Sequence, residues 1–193
     1  MEEKKLLILG AGGHGKSVAE AALLSGDWTN IAFLDDSWPT TESVLGFPVL
    51  AKLEALSVLS SQYSAGIVAI GNNKIRQVYL TLLEQVGLPL VSIIHPAASV
   101  SASAKIGVGT TIMASARVGV DASLGKGCIV NSHATVDHDV TLNDFVHIGI
   151  GVHLAGGVKV GLRAWLQAGI CAGYHVIVSD DEVCTVGTIL QKM

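Results

Sequence analysis

A chain of 193 residues has room for one large or two small domains. Half of it is apolar and only 15% is charged, a balance that suits a long continuous apolar interior, and the net charge of −4 argues against a general nucleic-acid-binding role. With no unbroken apolar stretch of about 18 residues, no membrane span is expected.

The N-terminus, Met1-Glu2-Glu3-Lys4-Lys5, carries mixed charge and is followed by only a short apolar run. It reads as the approach to a strand, not as a signal peptide. Lys5 to Leu9 is that strand. It runs into Gly10-Ala11-Gly12-Gly13-His14-Gly15, a full G-x-G-x-x-G, and then into a helix-like segment from Lys16 to Leu24. In this context the glycines let backbone approach a pyrophosphate, and the helix N-terminus offers N–H donors and a positive dipole end.

Further along, Ile31-Ala32-Phe33-Leu34 predicts a second strand that ends in Asp35-Asp36. A carboxylate there can accept hydrogen bonds from the hydroxyls of a nucleotide. A third strand, Gly66 to Ile70, ends in Gly71-Asn72-Asn73 at the same carboxyl edge. A fourth run, Leu90 to Ile94, leads on through His95-Pro96. A dinucleotide fold needs two mononucleotide halves, and residues 1–95 hold one. The expected ligand is a single nucleotide diphosphate unit, such as a nucleotide-sugar, rather than NAD.

From Val100 to Ile189 the chain repeats every six residues, fifteen times, without an insertion. Every first position, from Val100 and Ile106 to Val178 and Cys184, is apolar, and thirteen of the fifteen are Val, Ile or Leu. Four residues later comes a series of small or β-branched residues, from Ala104 and Thr110 to Val176 and Thr188, broken only by Glu182. A period of six fits neither a helix nor an alternating strand. It fits a parallel β-helix in which three hexads make a coil of about 18 residues, with coils stacked about 4.8 Å apart. The expected architecture is an α/β Rossmann-like half domain over residues 1–95 and a hexapeptide-repeat β-helix over residues 96–193. Cys128 and Cys184 sit at core positions and Cys171 beside one, so all three read as small buried hydrophobes in a reducing cytoplasm.

Four of the seven histidines crowd into residues 133–153: His133, His138, His147 and His153. None occupies a core position of its hexad, so they should lie on turns or outer faces. Asp137-His138-Asp139 is the densest polar spot. A carboxylate beside an imidazole fixes its tautomer and raises its basicity, which suits a general base near neutral pH. Asn131 and His147 are the neighbouring polar candidates. Ser132 beside His133 lies in no nucleophile-elbow sequence, so covalent catalysis is disfavoured.

With Gly10-Ala11-Gly12-Gly13-His14-Gly15-Lys16, Phe33-Leu34-Asp35-Asp36, Ile70-Gly71-Asn72-Asn73 and the hexads all in order, the chain resembles a known family. It is similar to the bacterial sugar acyltransferases that join a small nucleotide-sugar domain to a left-handed parallel β-helix. Above all it resembles the UDP-4-amino-sugar N-acetyltransferases of the bacillosamine pathway; sialic-acid O-acetyltransferases share the layout. The resemblance spans nearly the whole chain. It implies a cytoplasmic homotrimer with active sites between subunits and acetyl-CoA as co-substrate. The implied reaction is acetyl transfer to the 4-amino group of a UDP-4-amino-4,6-dideoxy-N-acetylhexosamine, on the way to UDP-N,N'-diacetylbacillosamine.

By the same resemblance His138 is the base, supported by Asp139 where close relatives carry Glu. Asn131 lines the pocket, His147 contacts the acetyl-CoA side, and further CoA contacts fall at Gly156 and Ala168. Nucleotide-sugar contacts map to Gly12, Gly13, His14, Asp35, Asp36 and Gly71. Family members usually continue past the last coil into a Gly-Val-Pro-Ala-Lys type tail, whereas this sequence ends at Gln191-Lys192-Met193, a departure that bears on CoA affinity.

Other chemistries share parts of this pattern. Sugar O-acetylation keeps the same fold. Trimeric left-handed β-helices also host zinc lyases, and His133 with His138 has suitable spacing. Such a site wants a further His two coils earlier, where Ala97 and Ala102 stand, so no metal is expected. A trimeric scaffold that only senses a nucleotide-sugar would bind nucleotide without turnover.

Overall fold

Leu6 to Leu9 offer no polar face, so a strand built from them belongs in the middle of a sheet covered on both sides. In the computed structural model, which describes residues 4–192, this is where they lie. The first three residues of the predicted N-terminal approach fall outside the described residues. The chain divides into two compact units, Met1–Ile93 and Ile94–Met193.

In the first unit, β1 (Lys5–Leu9) pairs in parallel with β2 (Asn30–Leu34) on one side and β5 (Ala65–Val68) on the other. Leu6 to Leu9 are fully buried. A hairpin of β3 (Ser43–Val44) and β4 (Phe47–Ala51) completes the sheet, in the order β3-β4-β2-β1-β5. Helix α1 (Gly13–Ser25) follows β1, α2 (Leu56–Leu59) follows β4 among short helical turns, and α3 (Asn73–Gln85) follows β5. Asn72 caps α3, its Oδ1 accepting the N–H groups of Lys74 and Ile75. Because β1, β2 and β5 run in parallel, the loops that follow them share one edge of the sheet.

The structure refines several expectations. Helix α1 starts at Gly13, inside the glycine motif, three residues before the predicted Lys16. The third strand runs Ala65–Val68, not Gly66 to Ile70, although the Ala69 N–H still bonds the Leu9 carbonyl at 2.7 Å. Leu90 forms only a single parallel bridge to Gly66, so the fourth run is not a continuous strand. The hairpin β3–β4 was not foreseen. Its turn residues Leu45 and Gly46 both have positive φ, the geometry that matches the twist of two paired strands.

In the second unit, two-residue strands return every eighteen residues and pair in parallel in three stacked sheets. One face aligns Arg117, Thr135, His153, Cys171 and Ile189; the second aligns Ser123, Thr141, Lys159 and Ile177; the third aligns Ile129, His147, Trp165 and Val183. These residues begin their strands and point outward. The residue after each points inward, and with the fifth positions of the hexads it builds a single core running from Ile112 to Cys184. Stacked three-sheet coils of eighteen residues form the left-handed β-helix. Glu182 leaves the core series because its carboxylate turns outward to accept the Ser179 N–H at 2.8 Å.

A third register column accompanies the two apolar ones. At each of fourteen successive corners, from Gly109 to Gly187, the second turn residue has positive φ, between 54° and 72°. Glycine fills six of these positions, and Ser115, Asp121, His133, Asp139, Phe145, Arg163, His175 and Asp181 fill the rest.

Cys128 and Cys184 are buried, as read from the hexads, and burial with nearby Glu182 pushes the Cys184 thiol up to about 11. Cys171 is exposed, against expectation, because it begins its strand and points outward. Among the described residues, no helix is long and apolar enough to cross a membrane.

Candidate active site

The glycines of the first motif have different physical reasons. Gly10 turns the chain with φ of 107°, and a β-carbon there would meet the Ala69 carbonyl oxygen at 2.8 Å. At Gly15 a β-carbon would overlap the Gly10 carbonyl, so glycine lets helix α1 close onto the strand–turn. Gly12 and Gly13 are exposed, and nothing lies within 4 Å of where their β-carbons would be. Gly12 is the N-cap of α1, and no side chain caps that end. A thirteen-residue helix thus starts on bare backbone, at the end whose partial positive charge favours anions. His14 lies half-buried in the first turn of the same helix.

Asp35 stands at the end of β2 but is already engaged. Its Oδ2 accepts the Ala11 N–H at 2.7 Å and its Oδ1 the Ser37 N–H at 2.8 Å. Partial burial pushes the carboxyl up, and the bonds from Ala11 and Ser37 outweigh this and hold it below its ordinary value. Asp36 accepts the Leu53 N–H at 3.2 Å. The two aspartates therefore fasten the loop after β2 to the glycine turn and to the chain after β4. Each carboxylate still has lone pairs for a ligand hydroxyl.

Gly71, half-buried after β5, belongs to a third fastened loop, and the residue that fastens it was missed in the sequence. Arg76 on α3 is only 1% exposed. Its guanidinium donates to the carbonyls of Ile70 and Gly71, at 3.0 and 3.1 Å, and to Oδ1 of Asn73 at 2.9 Å. No motif flags such a residue.

In the β-helix the candidate side chains form two groups. His138 and Asp139 occupy the corner between the first and second faces. Nδ1 of His138 donates to Oδ2 of Asp139 at 2.7 Å, with half of the imidazole side chain exposed. The Asp139 backbone has φ of 58°, a conformation that aspartate tolerates better than most residues, and this aims its carboxylate at the preceding ring. The hydrogen bond to Asp139 raises the imidazole above its ordinary value; desolvation opposes it, and the charges of Asp137 and Asp139 add to the rise. Because Nδ1 carries the bonded proton, Nε2 holds the basic lone pair.

The second group lies on the third face. His147 lies on an outer face, as its hexad position predicts, and is nonetheless buried there, 8% exposed. Asn131, one coil earlier, donates from Nδ2 to His147 Nε2 at 3.0 Å. Trp165, one coil later, stacks on the ring with centroids 5.3 Å apart and planes 13° from parallel. His147 and Trp165 are eighteen residues apart, a spacing that could have revealed the stack from the sequence.

The other histidines stand apart from these groups. His133 is exposed at a different corner from His138, with φ of 59°. His153 is exposed on the first face and lies 3.2 Å from the Thr135 hydroxyl. Among the described residues, no group of three or more His, Cys, Asp or Glu side chains is placed to hold a metal ion. Gly156 is buried one coil after His138, and Ala168 is exposed at a corner after the third face. A groove of about 470 Å³ opens elsewhere, on the second face and its following corner, lined by Ser123, Thr141, Asp144 and Asp180 among others. Both of its carboxylates are tied to backbone one coil earlier: Asp144 accepts the Lys126 N–H and Asp180 the Leu162 N–H. The polarised imidazole is at His138, not in that groove.

An α/β half domain with a glycine-rich turn into a helix, followed by a β-helix bearing a solvent-facing imidazole–carboxylate pair, has the layout of a hexapeptide-repeat acyltransferase with a nucleotide-binding domain. Comparison with known proteins narrows this. Residues 5–83 match the family model described as the PglD N-terminal domain. The acetyltransferase domain of PglB from Neisseria gonorrhoeae FA1090, in complex with acetyl coenzyme A, is 40% identical. That match covers 98% of this chain and 93% of the other, with a TM-score of 0.91. PerB from Caulobacter crescentus, in complex with CoA and GDP-perosamine, is 36% identical over 98% of this chain and 91% of its own, also with a TM-score of 0.91. A UDP-N-acetylbacillosamine N-acetyltransferase from Bacillus subtilis (strain 168) is 36% identical over 116 residues, 57% of this chain and about half (51%) of that protein's length. The chain belongs to this family of bacterial sugar acetyltransferases that join a PglD-type N-terminal domain to a left-handed β-helix.

Proposed function

We propose that the protein transfers the acetyl group of acetyl-CoA to the 4-amino group of a UDP-4-amino-4,6-dideoxy-N-acetylhexosamine, in a ternary complex with His138 as general base. The observation that carries this reading is the His138–Asp139 pair: an exposed imidazole with its Nδ1 proton held at 2.7 Å and its Nε2 left as the base. The sugar amine attacks the thioester carbonyl carbon and Nε2 takes the proton that the amine loses. The tetrahedral intermediate collapses, the C–S bond breaks, and the CoA thiolate leaves and is protonated. Polar donors of the cleft stabilise the oxyanion.

The nucleotide end lies over Gly12, Gly13 and His14, with Asp35, Asp36 and Gly71 framing the sugar-bearing side. Asn131 and His147 line the acyl side, and Gly156 and Ala168 continue the CoA path. Support comes from the acetyl coenzyme A in the PglB domain and the CoA and GDP-perosamine in PerB, at 40% and 36% identity over nearly the whole chain. The working form is a cytoplasmic homotrimer with each site between neighbouring β-helices, which would cover the outward apolar side chains of Ile177, Val186 and Ile189.

The test is thioester consumption from acetyl-CoA against a panel of UDP- and GDP-linked 4-amino-sugars, with sialic acid as the hydroxyl acceptor. The expected result is turnover of a UDP-4-amino-sugar, and a loss of about 10²–10⁴-fold in the His138→Ala variant. Preference for a GDP-sugar or for sialic acid would replace the acceptor. Near-wild-type turnover in folded His138→Ala would remove the base.

A further inference from the structure

We propose that Gly156 is a positioning residue for the base: bare backbone at this point is the seat for the His138 imidazole, and any side chain there would push the ring off Asp139. The inference rests on the reading of His138 as general base. Residues 138 and 156 stand one coil apart, and the register between them is fixed by the Gly157 N–H donating to the His138 carbonyl at 3.0 Å. A β-carbon on Gly156 would overlap Cε1 and Nε2 of His138 and lie 3.0 Å from Nδ1. The imidazole therefore occupies the volume a side chain at 156 would need.

Conformation gives no other reason for glycine here. Gly156, unlike Gly157 with its φ of 70°, does not lie in the left-handed region, so alanine fits its backbone. The atoms a β-carbon would meet belong to the end of a half-exposed side chain that can swing away. Gly156→Ala should therefore fold, at the cost of the ring's placement. On the other side, a β-carbon on the neighbouring Gly157 would overlap Nδ1 of His175, one coil later. The charged and titratable groups around His138 are thus Asp137 and Asp139 on its own coil, Asp121 at the same corner one coil before, and His175 two coils after.

The experiment compares wild type, Gly156→Ala, His138→Ala and the double variant, all full-length, with acetyl-CoA and the best amino-sugar of the panel. The His138 imidazole is also titrated by NMR without substrate. If Gly156 seats the ring, Gly156→Ala lowers kcat by about 10- to 100-fold, a larger change than any rise in the KM for acetyl-CoA, whose path it borders. It adds nothing in the His138→Ala background, and it moves the His138 titration down toward that of a free imidazole. A raised KM for acetyl-CoA with unchanged kcat would leave Gly156 a CoA contact and nothing more, and overturn the proposal. So would an equal loss in both backgrounds, or an unmoved titration. If His138→Ala proves active, the base assignment falls on that result alone, and the NMR titration still decides whether Gly156 holds the ring.

Discussion

Gly12→Ala should separate ligand binding from folding. At Gly12 φ is −74° and ψ −165°, extended backbone that alanine adopts freely, and its β-carbon would meet nothing within 4 Å. Stability should hold, or rise by about 0.4–1 kcal/mol as the unfolded chain loses freedom. A diphosphate resting on the first N–H groups of α1 would be lifted by the added methyl. Losing one charge-assisted hydrogen bond costs about 1.5–3 kcal/mol, roughly a 10- to 100-fold weaker Kd. Gly15→Ala is the contrasting variant, because its β-carbon would strike the Gly10 carbonyl, which is backbone and cannot step aside. It should lose both binding and thermal stability. Calorimetric titration with UDP and GDP, alongside melting curves, reads both quantities. Unchanged nucleotide affinity in Gly12→Ala would refute the seat, and a melting loss equal to that of Gly15→Ala would refute the open space above it.

Two other outcomes follow from the β-helix. The hydrogen bond that the His138 imidazole donates to Asp139 holds the ring above its ordinary value, and a base must be neutral to act. The acid limb of kcat/KM against pH should therefore lie above that of an ordinary imidazole, near 6.5, and shift to lower pH in Asp139→Asn; a limb that stays in place would exclude the pair from the rate-limiting proton transfer. Gly151→Ala, at φ of 62° with open space around it, tests the corner geometry. It should cost about 1–2 kcal/mol and lower Tm by about 2–4 °C per kcal/mol, and an unchanged Tm would contradict a left-handed corner there.

The hexads were legible because interior side chains stack on themselves, so apolar residues recur at every first position and small or β-branched ones at all fifth positions but Glu182. The column of left-handed corners was not. Glycine marks six of its fourteen places, and at the others Phe145, Arg163 and His175 accept the conformation because coil stacking outweighs its cost of about 1–2 kcal/mol each. The His138–Asp139 pair could be read from adjacency, since the corner directs one side chain at the next. The burial of His147 was less plain, because it depends on Trp165 one coil away, which only the eighteen-residue spacing brings against it. The glycine motif announced its loop, yet the engagement of Asp35 and Asp36 with backbone N–H groups depends on chain that arrives from β1 and β4. Arg76 left no trace in the sequence, because its partners are mainly carbonyl groups, which every residue carries.

The eighteen-residue register turns chain length into a functional variable. Removing one hexad between His138 and His147 would keep every apolar position filled, yet rotate all later coils by one face and carry His147 away from Asn131 and the corner that follows. Removing a whole coil would restore the faces but shift the later groups along the axis by about 4.8 Å. Side chains on the outer faces can be exchanged one at a time. Length can change only in whole coils, and a change inside the span from Asn131 to Trp165 would separate side chains that now meet across neighbouring coils.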